Sequence, residues 1–346
     1  MPVPSTLPSL PVEEGSRRLA LDHLATARAA RTRVAGASDP EALHDYRVAL
    51  RRLRSCLRAY RKQVRSTVTR KSLRQLRRLA QSTNESRDLE VHLGWLAERR
   101  DCATDAQRPG ITWLIGRLEQ ARQRAWDDMR ARDEQLFPGL HDRLHHQLSE
   151  FRTTVRLDDE SGRRSTAVVT ARRARSAARR LERRLGRIRY VSSEEEIHRA
   201  RIAAKHLRYL LEPFAGDLSE AGAVIEPLKA LQDAFGDVHD GHMFVPELRE
   251  AREQAAAAGV AGMGPGLQSL VASLHARGHQ AFDSAAREWL PPRAGLFFEQ
   301  VNALSDALAR LSTVRSEGAA WRARWRPERV LPPPLAHHRQ PVIGRR

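Results

Sequence analysis

His44, Arg47, Arg51, Arg54 and Arg58 recur at spacings of 3, 4, 3 and 4 within HDYRVALRRLRSCLRAY, residues 44 to 60. That rhythm usually carries an apolar seam. Here it carries cations. On a helix these five residues fall within an arc of about 100°, and successive ones rise about 5 Å along the axis. The result is a ladder of guanidinium groups, each able to hold phosphate oxygens through two donors. A solvated helix face interleaves acids and bases, because like charges at i, i+4 repel. This stripe holds no acid over four turns. The missing compensation points to a bound polyanion.

The same pattern occurs a second time. HRARIAAKHLRYLLEPF begins at residue 198, and an offset of 154 lays His198 on His44, Arg201 on Arg47, Lys205 on Arg51 and Arg208 on Arg54. Apolar positions match as well: Leu53 with Leu207, Leu57 with Leu211, Tyr60 with Phe214. Downstream, NESRD (84–88) meets GDVHD (236–240) at an offset of 152, pairing Asp88 with Asp240. The chain reads as a tandem duplication with halves of about 150 residues. Leu211 and Glu212 follow Arg208, so the second ladder is expected to be the shorter one.

Other chemistries are weaker on the page. HD occurs at 44–45, 141–142 and 239–240, but a metal phosphohydrolase needs further converging ligands with an open metal position. Asp45 projects about 100° away from His44 on a helix. His141, His145 and His146 have helix-compatible spacing and read as a wet surface. Glu194, Glu195 and Glu196 sit in a helix's first turn, where they favour the dipole. No acid–base pair reads as catalytic, and no cofactor or metal is expected.

Positioning these ladders falls to helices. Leu43, Tyr46, Leu50, Leu53, Leu57 and Tyr60 form an apolar arc beside the first ladder, and Ile197, Ala204, Leu207, Leu211 and Phe214 one beside the second. Period-two alternation is missing and aromatics make up only 5%, so an all-α fold is expected. Asp39 with Pro40 predicts one helix start, and Ser193 with Glu196 predicts a capping box at the other. Breakers at 35–40, 101–110, 137–139, 157–166, 190–193 and 260–266 separate roughly a dozen helices. Residues 1–12 read as a Pro-rich disordered tail, 13–160 and 161–315 as two helical bundles, and 316–346 as a basic Pro-rich tail.

The 346 residues carry 60 Lys and Arg against 42 Asp and Glu, a net charge of +18. Such an excess suits a polyanionic partner. Cys56 and Cys102 lack metal-ligand spacing and form no disulfide framework. Neither a leader segment nor an apolar run of spanning length is apparent, so a cytoplasmic protein is expected.

LHDYRVALRRLRSCLRAY, IHRARIAAKHLRYLLEPF, RDLEV and LQDAFGDVHD together resemble the two halves of a CHAD domain, the conserved histidine α-helical domain. The resemblance spans about residues 13–315. It implies two helical bundles related by a pseudo-twofold axis, with inorganic polyphosphate bound in a basic central cavity and association with polyphosphate granules. Carried over, the binding residues are His44, Arg47, Arg51, Arg54, Arg58, His198, Arg201, Lys205 and Arg208. Some relatives carry a triphosphate-tunnel domain upstream. This chain leaves no room for one, so a binding protein rather than an enzyme is expected. Nucleic acid is the alternative partner, although no recognition helix, zinc module or stacking platform accompanies the charge. No membrane or protein partner is indicated.

Overall fold

The computed structural model describes residues 6–36, 41–150, 164–259, 262–290 and 294–311. Among them the fold is all-helical, with one isolated antiparallel bridge between Pro11 and Ser165. In chain order the α-helices are α1 (Val12–Gly36), α2 (Ala42–Ala59), α3 (Arg61–Val64), α4 (Arg70–Ser82), α5 (Asn84–Asp101) and α6 (Arg108–Ser149). There follow α7 (Thr166–Leu185), α8 (Glu194–Leu211), α9 (Ala221–Ala257), α10 (Gly264–Trp289) and α11 (Gly295–Arg310). Short 3-10 turns cover Leu7–Ser9 and Glu212–Asp217.

Two of the three apolar clusters follow the halves of the chain. One gathers α1, α2, α4 and the later part of α6 around Tyr46, Leu50, Leu53 and Leu144. Another gathers α7, α8, α11, the first half of α9 and the end of α10 around Leu207, Phe214, Leu228 and Phe235. The third cuts across the halves. Trp95 and Leu96 of α5 and Ile111 of α6 pack with Phe244 and Leu248 of α9 and Leu267 of α10. Periodicity alone assigns each helix a buried face but not its partner, which is why this shared cluster is absent from the sequence reading.

Several sequence expectations change at helix ends. The break expected at 137–139 does not occur: α6 runs through Pro138. Proline removes one backbone donor, while Phe137 and Leu140 on either side of it are buried in the first cluster and hold the helix in place. Helix α9 likewise continues through Pro227 and Pro246. The capping box at 193 is not formed. Ser193 Oγ instead accepts from Tyr190 N at 3.3 Å, and Glu196 pairs with Arg199 at 3.2 Å and Arg184 at 3.7 Å. Asp39 and Pro40 lie outside the described residues. So do residues 1–5 and 312–346, which include the whole basic tail.

Residues 6–12, part of the segment read as a Pro-rich tail, pack against the start of α7. Thr166 N donates to Leu10 O at 2.8 Å and Val12 N to Arg164 O at 3.0 Å. The segment thereby satisfies a donor at the start of α7, a position that otherwise has no intrahelical partner. Ser165 caps the same helix, accepting from Val168 N at 3.2 Å.

Helices α6 and α10 approach through two glycines. A Cβ at Gly110 would collide with Met263 O, and one at Gly266 with Gln107 O. Alanine in a helix normally gains up to about 1 kcal/mol over glycine. Gly110→Ala and Gly266→Ala should each lose about 1–3 kcal/mol instead, the range for overpacking. Chemical denaturation checks the sign. A gain in stability at either position would mean that the two helices do not pass this closely.

Candidate anion-binding cleft

Helices α2 and α8 touch, and α5 and α9 flank them. The four enclose a cleft of about 470 Å³. Helix α2 contributes His44, Arg47 and Arg51, and α8 contributes Arg201 and Lys205. From α5 come Arg87, Asp88 and His92, and from α9 His239, Asp240 and Glu247. Helix α2 is held in register from behind by the buried Asp133 of α6. Its carboxylate accepts from Tyr46 Oη and Arg31 Nε, both at 2.5 Å.

The cleft sets five cations against three carboxylates. Arg47 lies 3.6 Å from Asp88 and donates to the Asn84 carbonyl at 3.3 Å. Arg201 Nε donates to Gln232 O at 3.2 Å, lying across α9 at Gly236. Arg87 pairs with Glu90 at 3.1 Å. The remaining two cations stand differently. Arg51 donates to Tyr209 Oη at 2.7 Å, and neither Arg51 nor Lys205 forms an ion pair among the described residues. They are matched by the 154-residue offset.

Charge crowding and burial displace the titrations in the cleft. Lys205 is pushed down to about 7, first by burial, then by Arg201, Arg51 and Arg208. Burial, then Arg87, holds His44 below the usual imidazole value, and burial, then Arg201 and Lys205, does the same for His198. His239 is depressed to about 4 by burial, His198 and Arg201, and His92 to about 4 by burial alone. Asp88 and Asp240 shift upward: burial outweighs the pull of Arg47 on the former and of Arg201 on the latter. Every one of these shifts disfavours charge on the group concerned, as expected where charged groups lose water.

The nine ladder residues therefore divide. His44, Arg47, Arg51, Arg201 and Lys205 come together. His198 abuts them, its ring 4.7 Å from that of His239 and its Nδ1 buried without a hydrogen-bond partner. Arg54 and Arg58 are exposed and lie off the cleft, Arg54 close enough to Arg77 of α4 to feel its charge. Arg208 turns to Glu212 at 3.1 Å. The five-residue stripe is straight on its helix, but the floor of the cleft is only as long as its neighbours allow.

Arg87, His92, His239 and the three carboxylates are missed by reading the ladders alone. A signal for some of them existed. The offset that pairs Asp88 with Asp240 also pairs Arg87 with His239. Asp45 turns to Arg33 at 2.6 Å, away from His44. His141 stacks against Phe137 and His145, outside the cleft.

Residues 18–249 match the family model of the CHAD domain. The chain belongs to the CHAD domain family. Its fold is similar to the crystal structure of the CHAD domain from the plant Ricinus communis, with a TM-score of 0.57 at 20% identity. The likeness covers 89% of this chain and 98% of that one, and at this identity it speaks to the fold alone. No curated protein matches the chain. No helix among the described residues is long and apolar enough to cross a membrane.

Proposed function

We propose that the cleft between α2 and α8 binds inorganic polyphosphate without chemical turnover. One observation carries this reading: Arg51 and Lys205, drawn from the two ladders, share a half-buried cleft with no ion pair of their own. Holding them there without an ion pair costs stability that an anion returns on binding. Polyphosphate suits the site because its charges repeat at short intervals along a narrow, flexible chain. The carboxylates in the cleft hold Arg47 and Arg201 in position without cancelling the cationic excess.

The matched placement of Arg47 with Arg201 and Arg51 with Lys205 favours a tandem duplication. In that account a pseudo-twofold axis passes between the two ladders. Such a module would tether a larger assembly, including a polyphosphate granule. Titration of the whole chain with a long polyphosphate tests the reading, with double-stranded DNA as competitor. Polyphosphate should displace the DNA at much lower phosphate concentration. Displacement in the reverse order would make nucleic acid the partner.

A further inference from the structure

A second cavity, about 330 Å³, lies at the other end of the α2–α8 pair and shares no lining residue with the cleft. Arg58 reaches it from α2, Arg173 and Arg180 from α7, and His206 from α8. No carboxylate lines it, and among the described residues these three arginines form no ion pair. The position of Arg173 is fixed on two sides. Its guanidinium lies 4.6 Å from the centre of the Tyr60 ring, and Nη2 donates to Gln63 Oε1 at 2.7 Å. Its Nη1 is buried and has no hydrogen-bond partner. A buried cationic donor left unmade is costly, and a preset guanidinium is well suited to phosphate.

Apolar side chains line much of the rest of the cavity: Leu19, Ala59, Ala177, Leu210 and Pro213. The volume suits a small molecule. A bare phosphate polymer could use the cations but not the apolar lining. We propose that this cavity is a separate site for a phosphate monoester of a small molecule. The phosphoryl group meets Arg173, Arg58 and Arg180, and the organic body rests on Leu19 and Leu210. Burial, then Arg58 and Arg180, depresses His206 to about 4, so it is neutral near pH 7 and adds a hydrogen-bonding group without opposing the cations. The Arg51–Tyr209 hydrogen bond stands between the two sites, because Tyr209 lines the cavity and Arg51 the cleft.

Calorimetric titration of the whole chain with phenyl phosphate, and separately with orthophosphate, tests the assignment. Phenyl phosphate should bind at least about tenfold more tightly. Arg173→Gln should weaken it by about tenfold or more. Arg180→Gln, a change at an exposed residue, should weaken it by a smaller factor and serves as the second variant if Arg173→Gln fails to fold. The cleft variant Lys205→Glu, at a residue outside the cavity, should keep the affinity within a few fold, so a failed polyphosphate reading leaves this test intact. No binding at about 10 mM ligand overturns the proposal. So does equal affinity for the two ligands, indifference to both arginine variants, or loss of binding in the cleft variant.

Discussion

Reversing Arg51 and Lys205 together to Glu should lower polyphosphate affinity by about a thousandfold or more. Loss of a charged contact in a desolvated site costs roughly 2 kcal/mol at the low end, and each 1.4 kcal/mol is a factor of ten. Arg51 and Lys205 are the cleft cations without ion pairs among the described residues, and Asp240 only partly offsets the cations crowded around Lys205. The salt dependence should change with the affinity. Counterion release makes log affinity fall with log salt by about 0.7 per phosphate contact in single strands. Carried over to polyphosphate, losing two contacts should flatten the slope by roughly 1.4. Arg99→Glu/Arg100→Glu changes net charge equally, at residues that lie against Trp95 and Asp101 and not in the cleft. It should cost only a few fold. Arg54→Glu, on the ladder but off the cleft, should resemble that control. Equal losses from all three would mean that overall charge, and not the cleft, does the binding.

Affinity should also fall as pH rises above neutrality, and Lys205 is the reason. In the empty cleft it titrates at about 7. A bound phosphate chain favours its charged form and returns it toward the ordinary lysine value of about 10.4. Below pH 7 the amine is already protonated and contributes no slope. Between these values binding takes up one proton, so affinity drops by about tenfold from pH 8 to pH 9. Lys205→Arg keeps the charge at every pH and should flatten the profile over that window. An unchanged slope in that variant would move the proton elsewhere. His44 and His198, both held below the usual imidazole value, act in the same direction but at lower pH. The empty protein should gain stability over the range that costs it affinity. Between pH 7 and about 10 the unfolded chain keeps Lys205 protonated while the folded one does not, so stability rises with pH.

The ladders were legible because a cationic stripe beside an apolar arc needs only helical periodicity to be seen. The apolar arcs proved accurate in detail: Leu43, Leu50, Leu53 and Leu57 are all buried, as are Leu207, Leu211 and Phe214. How far each ladder reaches into the cleft was not legible. That depends on where α5 and α9 cross α2 and α8, which no local pattern encodes. The same limit hid the second cavity. Arg173 and Arg180 look on α7 like any exposed Arg-rich face until α2 and α8 are set against them. A broader charge count held part of the signal. Residues 46–84 carry thirteen Lys and Arg with no Asp or Glu, and α4 supplies five of them to the same side of the chain's charge balance. Pro138 misled in the other direction, because its cost is local and the burial that outweighs it is not.

The apolar cluster shared by α5, α6, α9 and α10 has a consequence for synthesis on the ribosome. Trp95, Leu96 and Ile111 leave the ribosome well before Leu267, their partner in α10, has been made. About 150 residues separate the two groups, which at roughly 5–20 residues per second is on the order of 10–30 s. For that interval the nascent first half shows an oily end that nothing of its own can cover. Slower elongation lengthens the exposure, and a holdase chaperone that recognises short apolar segments would find its target there.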